Sequence, residues 1–121
     1  MERLALPGDF RRVYENGKTV KNRLVVLHYR ENDREVTRIG FSVSKKLGNA
    51  VRRNRVKRRL REAVRTKASE IRSGYDLVVS ARLQCREAAY QDIVSAVMDA
   101  VSRAGLRQDS GGEESDGSRD G

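Results

Sequence analysis

Between Pro7 and Gly17 the residues Phe10, Val13 and Tyr14 fall at i, i+3 and i+4, the spacing of one helix face. Asp9 is the expected N-cap of this first helix and Gly17 its stop. The period then changes. KTVKNRLVVLHYR, residues 18–30, is rich in β-branched residues and predicts a strand, ENDRE predicts a hairpin turn, and VTRIGFSVS, residues 36–44, predicts the return strand. In that return strand Thr37, Ile39, Phe41 and Val43 share one side and read as its core face, while Arg38, Gly40 and Ser42 share the other, which is small and polar.

After KKLG, a long helix is expected from Ala50 to about Ile71, with Asn49 as N-cap. Val56, Leu60, Ala63, Val64 and Ile71 gather on one stripe of it, and Arg52, Arg55, Arg58, Arg59, Arg61 and Arg65 spread over the remainder. Gly74 closes that region, and YDLVVSAR predicts a short apolar strand. A last helix is expected over residues 85–106, with Ala89, Ile93, Ala96, Val97 and Ala100 at helical spacing and Gly105 at its end. The order is α-β-β-α-β-α, or αβββαβα if the first hairpin divides into three short strands, and it predicts an α+β sandwich of a sheet and helices.

Charge changes the picture of the long helix. Asn49–Arg65 holds eight Arg or Lys and one acid, Glu62, within a chain of 121 residues, net charge +9 and pI about 10.3. The final stretch Asp109–Gly121 carries five acids and one Arg, so residues 1–108 alone carry +13. We therefore expect one folded domain over 1–107, with RNA, DNA or an anionic membrane surface as its partner, and a disordered acidic Gly/Ser-rich tail over 108–121. So many like charges repel, and a polyanion lying against them is the simplest reason to tolerate the repulsion. A solvated helix laced by i,i+4 pairs would need acids alternating with bases, and Glu62 and Glu70 are too few. A membrane-surface helix would need a broad apolar face with large rings, which this stripe of Val, Leu, Ile and Ala lacks.

Self-contained chemistry is not apparent. There is no phosphate-binding GxxxxGK[ST] loop and no GxGxxG turn. His28 is the single histidine, and Cys85 is the single cysteine, read as a small structural residue. The acids of the folded part are scattered without a pair for Mg²⁺-dependent phosphoryl transfer. Thus no catalytic residue and no metal site is expected in the protein. No stretch reads as a signal peptide, and none approaches the roughly 20 continuous apolar residues of a membrane span. A cytoplasmic protein without a membrane or obligate protein partner is the expectation.

GFSVSKKLGNAVRRNRVKRRLREAVR, with Lys45, Lys46, Gly48, Asn49, Ala50, Val51, Arg53, Asn54, Arg55, Lys57, Arg58, Arg61 and Glu62 at fixed spacing, resembles the signature of the bacterial ribonuclease P protein subunit. FRRVYENGK is similar to the family's first helix and YDLVVSAR to its later strand, so the resemblance covers about residues 4–105. It implies an αβββαβα fold with a left-handed β-α-β crossover, against the usual right-handed rule. It also implies a protein subunit of ribonuclease P, the ribonucleoprotein endonuclease that removes the 5′ leader from precursor tRNA. In that arrangement the catalytic RNA holds Mg²⁺ and performs hydrolysis, and the protein alone is inactive. Lys45, Lys46, Arg53, Asn54, Arg55, Lys57, Arg58 and Arg61 would then face the catalytic RNA. Phe10, Tyr14, His28, Gly40 and Ser42 would form a cleft for the precursor-tRNA leader, with Gly40 and Ser42 leaving room for a strand of RNA against the sheet. His28 stands where the family often has an aromatic ring. The rival readings are a free-standing RNA-binding or ribosomal-type protein and a true protein nuclease.

Overall fold

A computed structural model describes residues 1–109. Its elements in chain order are β1 (Glu2–Arg3), α1 (Pro7–Asn16), β2 (Lys18–Lys21), β3 (Val25–Glu31), β4 (Arg38–Ser42), α2 (Ala50–Thr66), β5 (Tyr75–Ala81) and α3 (Tyr90–Arg103). One five-stranded sheet runs in the order β1-β4-β5-β3-β2. The expected αβββαβα arrangement is present, with the two-residue β1 added in front. The main core lies between the sheet and α2 with α3, and a smaller one of Leu4, Val13 and Val78 lies under α1 on the other face.

The expected strand over 18–30 breaks at Asn22. Its side-chain Oδ1 accepts the backbone N–H groups of Leu24 and Val25, and its Nδ2 donates to the carbonyl of Ala96 at 2.9 Å. This local turn folds the stretch into the antiparallel β2–β3 pair. The expected hairpin between the strands flanking ENDRE does not form. β5 lies between them, antiparallel to β3 and parallel to β4. Leu77, Val78 and Val79 explain this: consecutive apolar residues point to both faces, so the strand is stable only where both faces are covered, at the sheet centre.

Three further expectations shift. Leu6, not Asp9, occupies the N-cap of α1, where Pro7 starts the helix, and Asp9 lies within the first turn. α2 ends at Thr66, and Ile71 is buried beyond a 3-10 turn. The last helix starts at Tyr90, because residues 83–87 form a separate 3-10 turn in which Cys85 is fully buried, and Ala89 is exposed rather than in the core. Gln108 donates from its backbone to Glu70 at 2.8 Å and from its side chain to Ser69. The remainder of the expected acidic tail, residues 110–121, lies outside the described residues.

The hand of the β4-α2-β5 connection follows from residue chirality. Ile39 packs its side chain with α2 in the main core and turns its carbonyl to β1, where it accepts from Leu4 at 2.8 Å. On an ascending strand of L-residues, a side chain facing the viewer has its own carbonyl on the viewer's right. Seen from α2, β1 is therefore right of β4 and β5 is left of it. The chain crosses in front and moves left, which is the left-handed crossover that the resemblance implies.

Asp76 ties α1 to the sheet. It is fully buried and accepts both Arg38 Nε at 2.8 Å and Arg38 Nη2 at 2.6 Å, together with Asn32 Nδ2 at 2.9 Å. Arg38 also reaches Asp9 of α1 at 3.4 Å. Burial by itself would raise the Asp76 pKa, but the hydrogen bonds from Arg38 and Asn32 and the nearby positive charge hold it below the ordinary 3.8. A lowered carboxyl pKa contributes stability that is complete above the ordinary value and is lost as pH falls through the folded one. Asp76→Ala, which strands the Arg38 guanidinium, is expected to cost about 3 kcal/mol in urea unfolding at pH 7. The gap from wild type should narrow as pH is taken below 3.8; a gap independent of pH would rule out this ion pair as its source.

Candidate nucleic-acid interface

Asn49 starts α2 as the sequence predicts, its Oδ1 accepting the Arg52 backbone N–H at 3.0 Å. Gly48, at φ +125°, makes the turn into the helix, and its carbonyl accepts Arg53 Nε at 3.2 Å. Val56, Leu60, Ala63 and Val64 form the buried seam. Arg52, Asn54, Arg55, Arg58 and Arg61 stand in solvent, while Arg53, Lys57 and Arg59 lie half-buried along the flanks. Lys45 and Lys46 are exposed on the 3-10 turn that leads into the helix.

The charges of this face are left largely uncompensated. Arg65 pairs with Glu62 three residues back, which holds the Glu62 carboxyl below its usual range. Among the described residues Arg52, Arg53, Arg55, Lys57, Arg58, Arg59 and Arg61 have no carboxylate within ion-pair distance. The first turn of α2 contains no acid, so Arg52 and Arg53 sit beside the positive end of the helix dipole. Fold stability gains nothing from that placement. Guanidinium groups held in this way grip phosphate oxygens through paired hydrogen bonds.

The second set of residues meets on the opposite face of the sheet. Phe10 and Tyr14 project from α1, with ring centroids 6.5 Å apart, and Tyr14 meets the His28 ring edge-on at 4.8 Å. Tyr14 is 44% exposed, whereas Phe10 is half-buried and packs against the small core. His28 shares a hydrogen bond with Thr19 Oγ1 at 3.2 Å. Burial lowers the His28 pKa from its ordinary 6.5, so the imidazole is neutral at pH 7 and acts as a ring rather than a cation. Gly40 does not leave open room for RNA: a Cβ there would lie 2.4 Å from Phe10 Cζ, so its smallness is filled by that ring. Ser42, further along β4, is half-exposed on the same face, beside its β5 partner Ser80.

The structure thus gathers Phe10, Tyr14, His28 and Gly40 into one cluster, with Ser42 beyond it, on the sheet face opposite the cationic helix; Phe10 and Gly40 meet the helix cations Lys57 and Arg61 only around the cavity at the β1–β4 edge. Sequence reasoning missed Thr19 and Ser80 on this face, although the alternation Asp76, Val78, Ser80 carried the signal for the latter. It also read Asp76 as a scattered acid, because only the β4–β5 register reveals Arg38 as its partner. Cys85 is buried, and burial pushes its thiol pKa up, as suits a structural residue. Among the described residues no helix is long and apolar enough to cross a membrane.

Comparison with known proteins adds a consistent set of matches. The family model described as Ribonuclease P matches residues 1–105. The ribonuclease P protein component of Caldanaerobacter subterraneus subsp. tengcongensis is 44% identical over 101 residues, covering 84% of this chain and 87% of that one. That of Alkaliphilus metalliredigens is 41% identical over 98 residues, covering 81% and 88%. Among solved structures, the Staphylococcus aureus RNase P protein superposes with TM-score 0.81 at 34% identity, covering 89% of this chain and 99% of that one. The Thermotoga maritima RNase P protein superposes with TM-score 0.78 at 31% identity, covering 85% and 97%.

The state of His28 is directly measurable. An NMR titration of its ring is expected to give a midpoint below 6.5, and Tyr14→Ala, which uncovers the ring, should move the midpoint back toward 6.5. A wild-type midpoint at or above 6.5 would rule out burial as a force acting on the His28 ring.

Proposed function

The chain belongs to the ribonuclease P protein family and is a component of that tRNA-processing ribonucleoprotein, an endoribonuclease; within it, we propose, the cationic helix grips the catalytic RNA and the ring-lined face receives the precursor-tRNA leader. The observation that carries this reading is the row of α2 cations without carboxylate partners among the described residues. Arg53, Asn54, Arg55, Lys57, Arg58 and Arg61, with Lys45 and Lys46 ahead of them, supply phosphate contacts that position the protein on folded RNA. Such contacts displace bound cations from the RNA, which makes the affinity steeply salt-dependent.

Leader nucleotides are single-stranded, so their bases are free to stack on Tyr14 and the neutral His28 ring. Phe10 supports Tyr14 from below while packing on Gly40, and Ser42 offers a hydroxyl further along the strand. Recognition by stacking tolerates sequence variation, because every base presents a flat face.

Bond cleavage we assign to the RNA and the Mg²⁺ ions it holds, with the protein alone inactive. Among the described residues no three His, Cys, Asp or Glu side chains converge to hold a metal ion, and buried Asp76 gives its oxygens to Arg38 and Asn32. A cytoplasmic location is part of the same proposal, since the RNA partner and its substrate are made there.

Binding of the chain to ribonuclease P RNA should fall linearly in log affinity against log salt. Arg58→Ala is expected to flatten that slope by about one; an unchanged slope would remove Arg58 from the phosphate contacts. Separately, Tyr14→Ala in the reconstituted holoenzyme should weaken binding of leader-bearing tRNA by about tenfold and leave mature tRNA unaffected, the loss of one base stack. Equal weakening of both would mean that the ring does not meet the leader.

A further inference from the structure

At the β1–β4 edge of the sheet a cavity of about 520 Å³ lies between the two surfaces described above. It is where the two come closest: Phe10 of α1 and the cations of α2 border the same space. Leu4, Phe10, Phe41 and Val64 make an apolar wall, and Lys57, Arg61 and Arg65 line the side formed by α2. The three cations are four residues apart, so they rise along one flank of the helix. Arg65 shares its charge with Glu62, whereas Lys57 and Arg61 have no carboxylate partner among the described residues. At the rim Glu2 is offset by its neighbour Arg3.

An apolar wall facing two uncommitted cations calls for a ligand with a ring at one end and a negative charge at the other. The volume falls within the roughly 300–1,000 Å³ of sites that enclose such molecules. The cations are continuous with the helix face assigned to RNA, which favours a nucleotide that is part of a strand over a free one. We propose that this cavity takes one unstacked nucleotide of RNA, its base against the half-buried rings of Phe10 and Phe41 and its phosphate on Lys57 and Arg61. The inference rests on the RNA-binding reading of α2 and adds to it a base-accepting site separate from the Tyr14 and His28 rings. The nucleotide comes from the catalytic RNA or from the leader, and both present the same chemistry.

Ala68, half-buried at the cavity, gives access without altering the cations or rings. The holoenzyme is reconstituted with p-benzoylphenylalanine at position 68 and irradiated with and without precursor tRNA. A cross-link to a single nucleotide is expected; one present in both samples assigns it to the catalytic RNA, and one that needs precursor tRNA assigns it to the leader. Ala68→Trp, which fills the space, should weaken binding of that RNA by about tenfold with an unchanged melting temperature, and Arg58→Ala serves as reference. If no nucleotide is cross-linked while Arg58→Ala still weakens binding, the cavity proposal is overturned and the reading of α2 stands. If the wild-type chain itself shows no salt-dependent binding to ribonuclease P RNA, the RNA-binding reading fails and the cavity proposal with it. Should Ala68→Trp not fold, the cross-link alone decides.

Discussion

A helix that carries eight cations can be held to its protein only by what remains, and in α2 that is a seam of four residues, Val56, Leu60, Ala63 and Val64. Burying each of the larger three contributes on the order of 2 kcal/mol. Repulsion between neighbouring surface cations costs only a few tenths of a kcal/mol per pair. The seam therefore wins, and the helix lies fixed on the sheet with its charges turned outward. The basic surface, the crossover that carries it and the cavity at its flank all exist because this narrow contact suffices.

The sheet under that seam is organised by β5. A strand apolar on both faces has to be central, and its insertion between β3 and β4 separates two strands that a local hairpin would have joined. It also makes β4 and β5 parallel neighbours, which forces the chain over the sheet through α2. The same strand brings Asp76 to Arg38, and Arg38 in turn to Asp9, so that α1 is anchored on the face opposite α2. Two surfaces are thereby placed on opposite faces of one sheet, one rich in charge and the other in rings. This suits the proposed division of work between a large folded RNA and a single-stranded leader.

The two surfaces divide the physics of recognition. Guanidinium groups on α2 act over a distance and weaken with salt, whereas the rings of Tyr14 and His28 act only in contact. Burial lowers the His28 pKa and so adds to the preference for the neutral ring.

Local patterns decided the elements, and the chemistry of the long helix was legible before any fold was known. The N-cap at Asn49, the seam, the excess of Arg and the whole RNR signature depend on residues within a few turns of one another, where spacing and propensity dominate. The core side of β4 was equally readable from its alternation. Partners distant in sequence were not. That β5 would displace the hairpin, that Asn22 would break a continuous strand by reaching Ala96, and that Gly40 would be filled by Phe10 are outcomes of competition for burial among segments tens of residues apart. The hand of the crossover is of the same kind. It came from the family resemblance, and in the structure it depends on which side of β4 receives β1 and which receives β5, a choice that no local pattern encodes.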